Sequence, residues 1–307
     1  MANKKKTTIG GQALYEGILM RGPYKTSIVV RKPDNELEIT EEENKTISSK
    51  YKILRMPFIR GIVSLIESLV MGTKALVYSI SFFDDEEDEE ESFLEKKFGE
   101  KAESIGTALS IISSLALSIL IFFFIPTIVT SLFKKIVTNT VLLNLIEGFI
   151  RIIIFLAYIY LVSKLEDMKR VFMYHGAEHK SIHCYENGEE LTVENVRKCS
   201  RLHRRCGTSF IFTVMITSIL VLSFFGWPNP LMRLVTRLLA LPFIAGFSYE
   251  INRLLGRADG IISKILSAPG LLVQKLGTVK EPTDDMIEVA IVALKKVIPE
   301  DSKADIW

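Results

Sequence analysis

Apolar and polar positions are unevenly spread along the 307 residues. The run 105–133 carries no charge at all, and it exceeds the ~20 residues that cross a bilayer as a helix. Pro126 within it predicts a kink. A second apolar segment covers 141–163 and a third covers 208–226, followed by the turn Trp227-Pro228-Asn229-Pro230. A fourth, 231–249, is weaker, because Arg233 and Arg237 leave only about a dozen clean apolar positions. It reads either as a full span whose arginines snorkel or as a re-entrant helix shielded by the others. Residues 53–83 are apolar but punctuated by Arg55, Arg60, Glu67 and Lys74, with Pro57 and Gly61 near the start. That pattern predicts a helix lying on a membrane or packed against a bundle rather than a simple span.

The flanking segments are polar. In 1–52 a Gly-rich opening precedes two alternating stretches, Ser27-Ile28-Val29-Val30-Arg31 and Glu36-Leu37-Glu38-Ile39. The turn-rich Lys32-Pro33-Asp34-Asn35 between them predicts a β-hairpin. Residues 84–91 are all acidic; such a block repels itself and reads as part of a solvated linker, 84–100. Its other reading is a dock for a basic partner or divalent cations. Residues 258–276 and 284–298 read as amphipathic helices. In the second, Met286, Ile287, Val289, Ala290, Ala293, Leu294 and Val297 fall on one face. The expected fold is therefore mainly α. It is a polytopic helical membrane protein of about four membrane helices plus an amphipathic helix, with a small N-terminal β-hairpin module. The expected domains are 1–52, 53–83, 84–100, a bundle over 101–256 that includes a polar loop at 164–207, and C-terminal helices over 257–307.

Composition adds constraints. The chain is 48% hydrophobic and 24% charged, with a mean hydropathy of +0.27 and a net charge of +2. That charge makes no global case for nucleic acid. Five basic residues in 197–205 come without a nucleic-acid-binding motif, so no specific nucleic acid is expected, although contact with ribosomal RNA or anionic lipid stays open for that patch. The start, Met-Ala-Asn-Lys-Lys-Lys, lacks the early apolar core of a signal peptide. The 164–207 loop carries Lys164, Lys169, Arg170, Lys180, Arg197, Lys198, Arg201, Arg204 and Arg205. The positive-inside rule then puts this loop and both termini in the cytoplasm of a multi-pass cell-membrane protein. Three cysteines argue against a closed disulfide framework, and a reducing compartment agrees. In the second span, Glu147 and Arg151 are four residues apart and share a helix face. They read as a structural ion pair or, less simply, as part of a proton or substrate path.

All four histidines and all three cysteines lie between His175 and Cys206. Imidazole and thiolate bind borderline-soft metals such as zinc. His175-Gly176-Ala177-Glu178-His179 is an H-x-x-E-H string, the inverzincin pattern. On a helix its two histidines are one turn apart and can reach one ion, while Glu178 is placed to act as a base. His183 continues the same face. Cys199, His203 and Cys206, at spacings of four and three, would share a face of a second helix. Glu250, the only acidic residue between Glu194 and Asp259, is a candidate third ligand. Cys184 and Cys199 read as packing.

With these residues assembled, the chain resembles the YqhQ family, bacterial membrane proteins of unknown function that are described as metal-dependent enzymes. The resemblance runs over nearly the whole chain. It rests on Gly10-Gly11-Gln12-Ala13, Glu16-Gly17, Met20-Arg21-Gly22-Pro23, Pro57-Phe58-Ile59-Arg60-Gly61, Tyr174-His175-Gly176-Ala177-Glu178-His179-Lys180, Leu202-His203-Arg204-Arg205-Cys206-Gly207-Thr208 and Ser248-Tyr249-Glu250. It implies His175, Glu178, His179, His203, Cys206 and Glu250 as the site. The N-terminal motif reads as a structural turn, with glycines 10, 11, 17 and 22 permitting tight approach, or as a loop that covers the site and contributes Glu16 or Arg21.

The expected function is a metal-dependent membrane enzyme, a hydrolase at the cytoplasmic interface. Its metal is zinc or another divalent transition metal, held by His175 and His179 with His203, Cys206, Glu250 or His183. Glu178 would be the general base, with Glu16 and Arg21 in support and Arg21 or Arg204 binding an anionic group. The lipid bilayer is its partner, with an anionic lipid or membrane protein as substrate. The alternative is a non-enzymatic scaffold or membrane-protein biogenesis factor with a structural metal, contacting the ribosome or the secretion channel. A transporter ranks third, since no internal repeat supports it.

Overall fold

A computed structural model describes residues 5–44, 51–83, 102–258, 260–301 and 303–306; the expected acidic linker 84–100 lies outside them. Four strands open the chain: β1 (Gly10–Leu14), β2 (Gly17–Arg21), β3 (Lys25–Arg31) and β4 (Leu37–Glu43). They form one antiparallel meander in the order β1-β2-β3-β4. The helices are α1 (Ile59–Ile80), α2 (Ala102–Ile119), α3 (Ile125–Ser131), α4 (Thr140–Val162), α5 (Glu166–Glu186), α6 (Val193–Lys198), α7 (Gly207–Leu222), α8 (Pro230–Arg257), α9 (Ile261–Val273) and α10 (Asp284–Val297). A π-helical turn, Leu120–Phe124, joins α2 to α3.

Among the described residues, five helices are long and apolar enough to cross a membrane: Ile59–Ile80, Ala108–Lys135, Thr140–Val162, Gly207–Phe225 and Pro230–Arg257. The fold is the expected one, mainly helical with an N-terminal β module, but α1 joins the four anticipated spans as a fifth candidate. Two of its three charges have partners: Glu67 accepts from Arg21 at 3.3 Å, and Arg60 pairs with Glu250. The weak segment 231–249 is part of one 28-residue helix that continues through Pro242.

The chain divides into two units, Met1–Phe83 with Tyr158–Thr217 and Leu241–Trp307, and Asp84–Ala157 with Ser218–Ala240. In the first, the sheet is covered on both sides. Strand alternation turns Ile18, Met20 and Val29 toward Tyr174, Ala177 and Ile182 of α5 and Met286, Ile287, Ala290, Ala293 and Leu294 of α10, all buried. Leu14 and Leu19 face the other way, against Ala75 of α1. The expected hairpin is β3–β4, with Asn35 at positive φ in its turn. The β1–β2 hairpin was not anticipated, because its glycines read as turns. A Cβ on Gly11 would lie 2.7 Å from the Leu19 carbonyl oxygen, and one on Gly17 2.6 Å from that of Val29. Both glycines therefore serve close strand approach.

The chain's two ends meet through a bridge between Thr7 and Ile306. Beside it the buried Asp305 carboxylate takes Lys5 at 2.6 Å, the Thr7 hydroxyl at 2.7 Å and the Tyr185 hydroxyl at 2.9 Å. Burial works against this charge, but Lys5, Thr7 and Tyr185 outweigh it and hold the carboxyl below the usual aspartate range. A folded pKa below the unfolded one contributes stability that is complete above the unfolded value, near ~3.9, and is lost as pH falls through the folded value. Asp305→Asn is expected to cost about 1–3 kcal/mol at pH 7. Its thermal midpoint in detergent should also fall less steeply than the wild type's between pH 5 and pH 3. Parallel acid limbs would show that Asp305 does not titrate in this way.

In the second unit, Gly148 lets α4 close on α7. A Cβ there would stand 2.4 Å from Ile219, the small-residue contact typical of membrane helices.

Candidate metal centre

Helix α5 carries His175, His179 and His183 at a spacing of four, so the rings stack along one face. The ring centroids of His175 and His179 are 4.4 Å apart. Facing them is 199–206, expected as a helix but in the structure an irregular loop between α6 and α7. The loop runs antiparallel to α5, so its three candidate ligands separate. Cys206 meets His175 and His179, His203 meets His183 and Glu186, and Cys199 meets Cys184 and Glu189.

Side chains of α5 hold the loop through its backbone. His179 Nδ1 donates to the Arg201 carbonyl at 2.6 Å, His183 Nε2 to that of Leu202 at 3.0 Å, and Lys180 to that of Arg197 at 2.8 Å. Such bonds need this irregular backbone, since a helix would keep most of these carbonyls for its own ladder. Gln274 clamps the loop from the other side. Its carbonyl oxygen accepts from the His203 N–H at 2.9 Å, and its amide donates to the His203 carbonyl at 2.7 Å.

In the first group the donor atoms of His175, His179 and Cys206 all lie within 4.8 Å of one another. His175 Nδ1 donates to the Thr278 carbonyl at 2.8 Å. A carbonyl oxygen only accepts, so Nδ1 carries the hydrogen in both His175 and His179, and both Nε2 lone pairs are left for a ligand-bound ion. His175 Nε2 is 3.2 Å from Cys206 Sγ. That separation is close to the ~3.5 Å edge of a tetrahedral zinc site with Zn–N of ~2.0–2.1 Å and Zn–S of ~2.3 Å. The Thr208 N–H points to the same sulfur at 3.4 Å. The donor set and its outer partners fit a divalent borderline metal.

Glu178 completes this group. Its Oε2 is 3.8 Å from His175 Nε2 and 3.7 Å from His179 Nε2, and its Oε1 accepts the Gly11 N–H at 3.1 Å. Burial pushes this carboxyl above the ordinary glutamate range, offset only in part by His175 and the Gly11 N–H. Two glycines make the fit possible. A Cβ on Gly11 would come 2.8 Å from Glu178 Cγ, and one on Gly176 2.0 Å from the Lys280 carbonyl oxygen.

The other two groups have different chemistry. Burial, with Arg205 alongside, pushes His203 down to about 3, and His183 is also lowered by burial. Burial works against the Glu186 carboxylate, but His203 and Arg205 hold it down to about 2. Arg205 pairs with Glu186 and stands 3.3 Å from His203 Nε2. A cation's place in that group is already held by the guanidinium. In the third group, burial pushes the Cys184 thiol up to about 12, and Glu189 is exposed. Cys184 thus behaves as a buried apolar group.

The remaining expected residues lie elsewhere. Glu250 is engaged by Arg60, at 2.7 Å to Nε, and by the Phe58 N–H at 3.3 Å, not by the histidines. The motifs around Gly61 and Glu250 dock on one another: Phe58 stacks on Phe247, and a Cβ on Gly61 would stand 2.6 Å from Tyr249. Glu16 takes a two-point contact from Arg170 and accepts the Tyr174 hydroxyl at 3.2 Å. Arg21 pairs with Glu67 and lines a groove of about 880 Å³ between the sheet and α1, whose lining includes no histidine or cysteine among the described residues. The N-terminal motif therefore does reach the site, through the Gly11 backbone rather than through Glu16 or Arg21. Glu186 was missed although it sits one turn beyond His183. Gln274 and Thr278 had no sequence signal, since each acts through a fold-dependent contact.

Comparison with known proteins agrees with the resemblance. The family described as "Protein of unknown function (DUF1385)" matches residues 56–300. The chain is 34% identical over 299 residues to the "Uncharacterized protein YqhQ" of Bacillus subtilis (strain 168), covering 96% of this chain and 94% of that protein. No solved structure matches the chain.

Proposed function

The chain belongs to the DUF1385 family and is a relative of YqhQ, and we propose that it is a metal-dependent membrane enzyme of the hydrolase class, working at the cytoplasmic face. One observation carries this reading. Two histidines with their Nδ1 atoms fixed on carbonyls converge with one cysteine, and a buried carboxylate stands 3.7–3.8 Å from both Nε2 atoms. His175, His179 and Cys206 would hold zinc or another divalent transition metal. When bound, it would supply Lewis-acid polarisation of a substrate carbonyl or phosphoryl oxygen.

The protein's own groups supply the rest. Glu178, raised by burial, is suited to accept a proton from an attacking water and return it to the leaving group. The Gly11 N–H fixes one carboxylate oxygen, leaving the other toward the two imidazoles. The cytoplasmic placement rests on the basic loop around the site, and it allows an anionic lipid or a membrane protein as substrate.

A catalytic site keeps one position exchangeable, whereas a structural site has four protein ligands and is closed. The test is cobalt loading of the purified full-length chain, followed by titration with acetohydroxamate. A shift of the visible cobalt bands is expected. Unchanged bands, with cobalt bound, would instead support the structural metal of a scaffold or biogenesis factor.

A further inference from the structure

In the second unit one carboxylate faces three guanidinium groups. Glu147 and Arg151 lie on α4, and Arg233 and Arg237 on α8. Glu147 Oε1 accepts from Arg151 at 3.0 Å and from the Thr127 hydroxyl at 3.1 Å, and it lies 2.6 Å from Arg237 Nη1. Oε2 takes Arg233. The expected Glu147–Arg151 pair is therefore half of a larger cluster, in which three positive charges meet one negative.

Neutral groups meet part of the excess without cancelling it. Pro126 has no N–H to offer the Phe122 carbonyl four residues back, and Arg151 Nε donates to that carbonyl at 3.0 Å. The Trp227 ring lies 3.6 Å from the Arg233 guanidinium and the Phe123 ring 4.9 Å from that of Arg237. Two positive charges remain uncompensated. The Arg233 side chain is only 5% exposed, and its Nε is buried with no hydrogen-bond acceptor among the described residues. All four charged residues lie in helices apolar enough to span a membrane, where unbalanced charge is costly and marks a functional site.

Position along the helices narrows the counter-ion. At ~1.5 Å per residue, Arg151 starts about 16 Å along α4, mid-helix, but its guanidinium reaches back to Glu147; Arg233 is about 5 Å into α8, and Arg237 and Glu147 are each about 10 Å from the start of their helices. The three guanidinium groups thus gather at the level of Glu147, the depth of long side chains reaching back to a headgroup layer rather than of the bilayer centre. Trp227, beside Arg233, is the residue type of the same interface. Guanidinium forks match phosphate oxygens at two points. We propose that Arg151, Arg233 and Arg237 form a binding site for a phosphate oxyanion, the phosphate of an anionic phospholipid, with Glu147 holding the three arginines in place.

The test uses the full-length protein in detergent with two probes, phosphatidylglycerol and, separately, inorganic phosphate against chloride at equal ionic strength. Thermal midpoints and native mass spectrometry report binding. Phosphatidylglycerol is expected to raise the midpoint and to stay bound, whereas diacylglycerol, which lacks the phosphate, does neither. Arg237→Gln and Arg233→Gln should weaken the lipid at least about 10-fold. Glu147→Gln, whose amide oxygen still accepts from the arginines while the competing negative charge is gone, should bind it as tightly or more tightly. Stabilisation by inorganic phosphate with none by the lipid would overturn the lipid as the source. The site itself is overturned if neither probe binds; Arg237→Gln should then raise the midpoint, because a bare cluster gains from losing a repelling charge. Should Arg233→Gln fail to fold, Arg237→Gln and Glu147→Gln still decide the matter.

Discussion

Cys206→Ala is expected to lower metal affinity by more than about 100-fold, beyond the ~10–100-fold typical of losing an outer partner of a ligand. Cys206 is the only thiol in its group, 3.2 Å from His175 Nε2. Without it the site is reduced to two imidazoles from one helix, and the loop contributes nothing. His175→Ala should act similarly, since it removes both a ligand and the Nδ1 contact to Thr278. Cys184→Ala is the control. Its thiol is pushed up to about 12 by burial, so its loss should leave metal in place. Elemental analysis after a chelator titration reads all three. Metal kept by both Cys206→Ala and His175→Ala would sink the centre, and equal loss in Cys184→Ala would move it to the third group.

Under the proposed hydrolase function, Glu178→Gln is expected to reduce hydrolysis of a bacterial membrane extract by about 10²–10⁴-fold while changing metal content less than twofold. The amide keeps the shape and can still accept the Gly11 N–H, but it cannot take up a proton. Mass spectrometry of released products gives the first quantity and elemental analysis the second. Undiminished release would remove Glu178 from catalysis. Loss of metal would make its carboxylate a ligand, which its distances of 3.7 and 3.8 Å from the two Nε2 atoms also allow.

Much of this arrangement is local and therefore legible in sequence. The spacing of His175, His179 and His183 is a property of one helix, and so is the apolar face of α10, whose seven expected residues are all buried. The long uncharged runs show themselves in the same way. The segment 199–206 is a loop and not the expected helix, because four-and-three spacing is equally available to an extended segment lying antiparallel to a helix. Only the helix beside it decides which ligand meets which histidine. Glu250 misled for a related reason. It was the sole carboxylate in its region, yet Arg60, far away in the chain, lies closer in space.

What the chain by itself determined is thus the set of participants: membrane-length helices, a β module, and all the histidines and cysteines in one basic stretch. Periodicity and composition are properties of neighbours in sequence, so they survive without a fold. Tertiary structure decided the assignments. It gave Cys206 to His175 and His179, Arg205 to Glu186, the Gly11 N–H to Glu178, and three arginines to Glu147. Each of these depends on distances between groups far apart in the chain, and charge or coordination is balanced only when such groups meet.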